Sequence, residues 1–330
     1  MKEPEVSVVV ATYNRFEILP GTLESLINQE GETAYEVIVV DNNSTDDTRN
    51  VFDKLRAKPG YDKLTYYFEE KQGVSHARNK GIAAARASLI AFTDDDIRPA
   101  PDWVSSITAA FKRFPEADCI GGKVLPEPAT EFPAWLTDKY WTPLALLDMG
   151  DEPMKLNVHK GAGLVAANLA VRASVFRDVG LFHPQLQRVK NSVGSMEDHE
   201  YQLRLSAAKK RLMYVPELVV YAHVLEERLS KDYHRRWYCG HGHFYAVMRD
   251  EEFESSKLRL FDVPSHLYRR TCSNAFDWLK HRLTNKSQLE FEQELEMQFF
   301  WGFFRQRFAD RRSFLQFGKR GSEKRHDAPH

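Results

Sequence analysis

Three cysteines in 330 residues, Cys119, Cys239 and Cys272, are too few and too scattered for a disulfide framework, and a reducing compartment is the expectation. No apolar run reaches the roughly 18 residues that a membrane-spanning helix needs. The opening stretch MKEPEVSVVVATYNR lacks the basic region followed by an apolar one that marks a secretory leader. Both absences predict a cytoplasmic chain, with at most a peripheral place at the inner face of a membrane. Neither sign of charge dominates: 46 Lys and Arg stand against 47 Asp and Glu, so no global field draws the chain to nucleic acid. No internal repeat is present, which excludes solenoid architectures. What remains is an ordinary globular composition, 42% hydrophobic and 28% charged, with enough chain for one large domain or two.

What the chain does have is alternation. Val6 to Ala11 reads as a buried strand ending in Thr12-Tyr13-Asn14-Arg15, and Ile18 to Asn28 as a helix with Pro20 in its first turn. Glu36 to Val40 is a second strand, ending in Asp41-Asn42-Asn43-Ser44. Ser44 or Thr45 is placed to cap a helix starting at Asp46-Asp47. Leu64 to Phe68 is a third strand. Gly73-Val74-Ser75 then opens an alanine-rich helix through Ala87. Leu89 to Phe92 is a fourth strand, followed by a helix from Asp102, its candidate cap, to Phe114 and a strand from Cys119 to Val124. Strand–helix alternation of this kind predicts an α/β fold with a doubly wound, mainly parallel sheet.

The fourth strand delivers Asp94, Asp95 and Asp96 together, and Pro99 and Pro101 stop the chain beyond them. Crowded carboxylates repel and raise each other's pKa, a strain that a divalent cation such as Mg²⁺ or Mn²⁺ relieves. A solvated acidic turn is the plain alternative. Polar residues recur at three strand ends, Thr12–Arg15, Asp41–Ser44 and Asp94–Asp96, and chain alternation puts such ends on one edge of the sheet, so they converge on one cleft.

Later segments are less regular. Lys123 to Asn157, rich in proline and aromatics, predicts a long loop over the cleft. Gly161, Gly163 and Ala166 fit a dinucleotide fingerprint by spacing alone. The β-like Asn168-Leu169-Ala170-Val171-Arg172 that follows instead favours a close-packed glycine turn. Ser195 to Glu200 opens a helix whose acids complement its dipole or aim a carboxylate into the cleft. Tyr214 to Val220 is a further strand, leading to His223. Cys239, His241 and His243 suggest zinc but lack a second ligand pair, so a glycine-bent helix end is expected. From Glu251 the pattern is helical. Phe291, Leu295 and Phe299 precede an aromatic and basic segment, Phe300 to Arg312, suited to packing on the catalytic domain or to a bilayer interface. Lys319 to His330 predicts a disordered tail.

Four of these segments, in order, resemble the inverting glycosyltransferases of family 2, which have the GT-A fold. They are SVVVATYNR, VIVVDNNSTDDT, GVSHARNKGIAAARASLIAFTDDDIRPAPDW and GSMEDHEYQLR, and the resemblance runs over about residues 5 to 240. It implies a catalytic domain over 1–225, with a nucleotide-sugar half (1–125) and an acceptor-side half (126–225), and a helical region over 226–330. It implies that Thr12, Tyr13, Asn14, Arg15, Asp41, Arg78, Asp94 and Asp95 meet the nucleotide. Asp96 with Asp94 is then the metal site, and Asp198 the catalytic base. His223 is an additional ligand to metal or diphosphate in this scheme, or a structural histidine. The implied cofactor is Mg²⁺ or Mn²⁺, and the implied donor a uridine diphosphate sugar, with guanosine and thymidine donors also known in the family. The implied acceptor is a carbohydrate or lipid-linked hydroxyl, and nucleic acid is not a partner.

Two departures stand out. Processive members carry Gln-x-x-Arg-Trp where this chain has Tyr233-His234-Arg235-Arg236-Trp237, which points to one sugar per encounter. Relatives also often have a second acid where Asn42 and Asn43 follow Asp41. Two rival classes share some of the pattern: a haloacid-dehalogenase-type phosphatase, which also sets Asp-x-Asp after an apolar strand, and a non-catalytic nucleotide-sugar-binding protein.

Overall fold

The structure is a computed structural model, and it describes residues 3–160, 163–186, 196–249, 251–256 and 258–323. Gly161 and Ser195 of the sequence motifs lie outside the described residues. The chain forms two compact units, Met1–Asn191 with Glu197–Leu229, and Ser192–Met196 with Ser230–His330.

The first unit is organised on β1 (Val6–Thr12). It pairs in parallel with β2 (Tyr35–Asp41) on one side and β4 (Leu89–Asp94) on the other, and β3 (Leu64–Phe68) continues the parallel run beyond β2. Residues 6–10 of β1 and the whole of β2 are buried. Near-continuous apolar strands of this kind are what a parallel sheet covered on both faces requires. The crossovers run through α1 (Leu19–Ile27), α2 (Thr48–Arg56) and α3 (Val74–Ala84). In register, Thr12 lies opposite Asp41, and Ala11 opposite Asp94. The polar strand ends are therefore level with one another at one edge.

Two helix boundaries differ from the sequence expectation for local reasons. α2 starts at Thr48 with Asp47 at the N-cap position and no side-chain cap; Asp46, not Ser44 or Thr45, meets the first turn, its Oδ1 accepting from the Thr48 amide at 3.1 Å. Ser44 is drawn away by the Asn14 amide at 2.9 Å. α3 stops at Ala84, since Ala85 turns extended and the Arg86 and Ala87 amides donate to Ser7 Oγ at 3.2 and 3.0 Å. Asp102 does precede α4 (Trp103–Arg113), but its carboxylate accepts from the Ser106 hydroxyl at 3.3 Å instead of capping a backbone amide.

Past β4 the sheet becomes mixed. Its order is β3-β2-β1-β4-β8-β6-β9-β5, with β5 spanning Ile97–Pro99, β6 Cys119–Pro126, β8 Leu169–Arg172 and β9 Leu212–Ala222. β8 runs antiparallel to both β4 and β6, while β6 and β9 are parallel with a register shift between Gly121 and Lys123. A Cβ at Gly122 would collide with the carbonyls of Leu218 and Val215, so only glycine fits that bulge. The buried Asn168 amide donates 2.9 Å bonds to the carbonyls of Lys123 and Leu218, and its Oδ1 accepts from Trp103 Nε1 at 2.8 Å.

The expected loop over 123–157 is ordered. Val124 and Leu147 exchange backbone bonds of 2.8 Å, Leu136, Tyr140, Leu144 and Leu146 are buried, and β7 (Met154–Lys155) pairs with β9. Ala166–Asn168 form a single 3-10 turn that feeds straight into β8, as a glycine turn and not a dinucleotide helix would. α5 (Ala173–Val179) and α6 (Glu197–Ala207) complete this unit.

The second unit contains α7 (Lys231–Met248), α8 (Glu251–Glu254), a hairpin of β10 (Arg259–Leu260) and β11 (Val263–Pro264), α9 (Ser265–Leu283) and α10 (Ser287–Glu323). α7 and α10 meet through two glycines: a Cβ at Gly242 would strike the Phe299 backbone, and one at Gly302 the Cys239 backbone. The expected helix end near Gly240 is absent, because that close approach keeps α7 helical to Met248. Within it His241 stacks on Trp237 with ring centres 4.3 Å apart, so the Cys239–His243 segment is packing, not a zinc site. Phe299, Phe300 and Phe303 are buried with Ala246, Val263 and Leu267, so most of the aromatic bulk that suited either packing or a bilayer interface is packed inside this unit. α10 carries helix to Glu323 through the start of the expected disordered tail, whose residues 324–330 lie outside the described residues. Among the described residues no helix is long and apolar enough to cross a membrane.

Asn168→Leu strands two carbonyls and an indole N–H in the core. Each buried group left unpaired costs about 1–3 kcal/mol. Urea unfolding should show a lowered midpoint with an unchanged slope.

Candidate active site

The two nucleotide-side strand ends are laced together by side chains. The Asn42 amide N–H donates to the Thr12 carbonyl at 2.8 Å. Its side chain donates to the Glu69 and Lys71 carbonyls at 3.3 and 2.7 Å and accepts from the Gly73 amide at 2.6 Å. Asn42 therefore holds the approach to α3, a task that two donors and one acceptor perform and a carboxylate cannot. Asn14 adopts a left-handed φ of 51° and accepts from the Thr45 amide at 2.8 Å. Tyr13 beside it stays exposed. Asp41 is buried, with Oδ1 accepting from the Ser44 amide at 2.9 Å and Oδ2 from the Tyr66 hydroxyl at 2.6 Å. Burial and the Asp41 charge push the Tyr66 phenol far above its usual range, so it remains a donor.

The three acids that follow β4 have three environments. Asp94 Oδ1 pairs with Arg78 Nη2 at 3.1 Å. Asp95 is buried, and burial followed by the charge of Asp96 pushes its carboxyl up to about 7, against the pull of the Thr12 hydroxyl and Arg15. Burial also raises Asp96, and Asp94 adds to the rise while Arg228, 3.9 Å away, and Arg15 oppose it. The backbone of β9 locks onto this turn through a 2.8 Å bond from the His223 amide to the Asp96 carbonyl. The His223 ring contacts Glu127 Oε2 through Nδ1 at 2.8 Å, which directs Nε2 to any other partner.

Arg78 joins this cluster to α6. Its side chain is 6% exposed, and besides Asp94 it pairs with Glu197 Oε1 at 3.0 Å. Burial works against its charge, but the charges of Asp94, Glu197 and Asp198 outweigh it and its pKa rises. Asp198 follows Glu197 in the first turn of α6, half-buried, with Oδ1 accepting from the His199 amide at 2.8 Å and Oδ2 from the Ala166 amide at 3.4 Å. Gln202, one turn on, staples α6 to the chain before β8: it accepts from the Leu164 amide at 2.7 Å and donates to the Leu164 carbonyl at 2.8 Å.

The structure thus brings together Thr12, Arg15, Asp94, Asp95 and Asp96, and through Arg78 links them to Asp198. Asp41 sits level with them one strand further out, and His223 abuts Asp96 from β9. Sequence reasoning missed Glu127, Glu197 as the partner of Arg78, Gln202, Tyr66 and Arg228. Only Gln202 carried a local signal, its i+4 spacing from Asp198.

Among the described residues no three His, Cys, Asp or Glu side chains form a ready metal cage. The donors present, carboxylates that burial and mutual charge leave short of cations, are nonetheless the hard oxygen ligands that Mg²⁺ or Mn²⁺ takes. Such ions are commonly held by one or two carboxylates, with substrate phosphates and water filling the shell.

Residues 7–180 match the profile of Glycosyl transferase family 2. A glucosyl-dolichyl phosphate glucuronosyltransferase of Haloferax volcanii is 29% identical over 53% of this chain and 55% of its own length. Glycosyltransferase AglE of the same organism is 33% identical over 54% of the chain and 56% of its own length, so the chain spans about half of each. Among solved structures, the mannosyltransferase PcManGT of Pyrobaculum calidifontis, in complex with GDP-Man and Mn²⁺, superposes with a TM-score of 0.57 at 18% identity, over 92% of this chain and 73% of its own. S. aureus TarS 1-349 in complex with UDP-GlcNAc does so at 0.52 and 18%, over 89% and 90%. The shared architecture is the GT-A fold, and the haloacid-dehalogenase alternative falls with it. With more than half its length matched by that one profile, the chain belongs to glycosyl transferase family 2.

Proposed function

We propose that this chain moves a single glycosyl group from a nucleoside-diphosphate sugar to an acceptor hydroxyl with inversion at the anomeric centre, in the assembly of a glycolipid or polysaccharide. The observation that carries this reading is the meeting of three strand ends at one sheet edge, Thr12 opposite Asp41 and Asp94 one residue back opposite Ala11, tied through Arg78 to the turn of α6 that bears Asp198. Residues 1–125 are the donor half, 126–225 the acceptor side, and 226–330 a helical addition. Tyr13, Asn14 and Asp41 stand on the base side, with Thr12 and Arg15 between them and the acids. Asp94 and Asp95 flank the donor, and Asp96 with Asp94 holds the metal. His223, oriented by Glu127, offers Nε2 to the metal or the diphosphate. A bound divalent cation supplies neutralisation of the departing diphosphate.

Asp198 does the proton chemistry. Its carboxylate already accepts two backbone amides, which fix its direction, and it keeps lone pairs for an incoming hydroxyl. One base and one displacement invert the centre. Arg78 acts on geometry: it holds Asp94 and Glu197 on one guanidinium and so sets the spacing between the donor acids and the base. A uridine diphosphate sugar is the favoured donor, supported by the UDP-GlcNAc complex of a protein with this fold, while the GDP-Man complex keeps guanosine as the second candidate. Tyr233 in the Gln-x-x-Arg-Trp position supports one sugar per encounter.

Three outcomes test the reading. Asp198→Asn should lower kcat by about 10²–10⁴-fold while calorimetric donor affinity stays within about twofold, since the base acts in the transition state. Equal loss of binding would remove that role. UDP at about 100 times its Kd should stabilise the folded chain by about 2.7 kcal/mol in thermal melts with Mn²⁺, and the metal-dependent part should vanish in Asp96→Ala. A flat response to UDP and GDP alike refutes the donor site. Arg78→Ala removes the buried guanidinium that Asp94 and Glu197 share. Loss of a buried partner costs about 3–5 kcal/mol, so this variant should unfold at markedly lower urea.

A further inference from the structure

α9 leaves most of its surface uncovered. Leu267 is its one buried residue. Cys272, Phe276, Leu279 and Leu283 recur at i, i+4, i+7 and i+11, which puts them on one helix face about 17 Å long. All four are exposed, with Phe276 at 71% and Leu283 at 75%. On the same face Tyr268 donates its hydroxyl to the Leu260 carbonyl at 3.0 Å, which sets the β10–β11 hairpin, with Leu258 73% and Leu260 54% exposed, at the N-terminal end of the stripe. An apolar band of this extent in water marks an interaction surface.

The charges say what kind. α9 carries Arg269, Arg270, Lys280 and Arg282 against the single acid Asp277. By helical position, Arg269 and Lys280 flank one side of the stripe and Arg282 the other, while Asp277 lies well away from it. Arg269 and Lys280 meet no acid among the described residues. We infer that this face of α9 docks on an anionic lipid surface, its stripe entering the boundary between headgroups and acyl chains and its flanking cations meeting lipid phosphates. A second copy fits less well, because a two-fold contact sets each basic flank against its twin. A nucleic acid would satisfy the cations and leave the stripe in water. The stripe from Cys272 to Leu283 takes no part in the buried Phe300–Phe303 cluster, against which Tyr268 at its N-terminal end packs, and the proposal stands independently of the donor and base assignments.

The test is co-sedimentation of the full chain with vesicles. Binding is expected to phosphatidylglycerol–phosphatidylcholine mixtures and not to phosphatidylcholine alone, and to weaken in high salt. Phe276→Ser with Leu283→Ser, at exposed positions, should lower the partition coefficient at least about tenfold. Arg269→Glu with Lys280→Glu should abolish the preference for anionic lipid. No binding by the unaltered chain, or equal binding by the serine pair, overturns the proposal. So does a concentration-dependent dimer that the serine pair dissolves, which would assign the stripe to a second copy.

Discussion

A buried arginine with two carboxylate partners is the constraint on which the rest of the site depends. Arg78 comes from α3, Asp94 from the end of β4 and Glu197 from the start of α6, three elements separated widely along the chain. A guanidinium in the interior is tolerated only if its charge is matched and its donors are used. The planar fork answers both needs, with one nitrogen for each carboxylate. The result is a fixed triangle in which the spacing of Asp94 and Glu197 is set by the guanidinium, and Asp198 is carried along as Glu197's neighbour. The backbone of the sheet does not provide this link, because α6 is not a strand and has no register with β4.

Around that triangle the protein uses amides to aim carboxylates and leaves few carboxylates to aim themselves. Asp198 is directed by two backbone N–H groups and Asp41 by one backbone N–H and a phenol. Gln202 prevents the segment before β8 from drifting away from α6. Asn42 does the equivalent for the entry to α3, where an acid in its place would face two carbonyls it cannot bond. Asp95 and Asp96 are the acids whose protonation burial and neighbouring carboxylates favour, against the donors and cations that reach them.

Much of the donor half was legible because its signals are local. Apolar runs gave the first four strands to within a residue or two, and each polar cluster sat at a strand end by simple adjacency. Convergence of those ends follows from parallel alternation, so it needed no long-range information. What was hidden depends on pairings far apart in the chain. The pairing of Arg78 stayed hidden because nothing near it names Glu197, 119 residues on. Glu127 lies in a proline-rich stretch with no period, and its bond to His223 spans 96 residues. Helix starts failed for a related reason: Ser44 is a good cap in isolation, but Asn14 from the neighbouring strand end competes for it and wins.

The C-terminal unit illustrates how far pattern alone can mislead about which aromatic residues meet solvent. Phe300-Trp301-Gly302-Phe303-Phe304, dense in rings and bordered by arginines, suits packing and a bilayer interface alike. Its glycine decides for packing: with no Cβ at 302, and none at 242 opposite, α7 and α10 approach closely enough to enclose Phe299, Phe300 and Phe303, and Trp301 alone is strongly exposed. α9 shows the converse. Its apolar residues are fewer and spaced at i, i+4, i+7 and i+11, a pattern that reads as core, yet no glycine lets a neighbour close over them. For α10 the burial of its aromatic face thus rests on small residues, Gly302 on its own surface and Gly242 on the partner, and the second of these is not contained in the face's own periodicity.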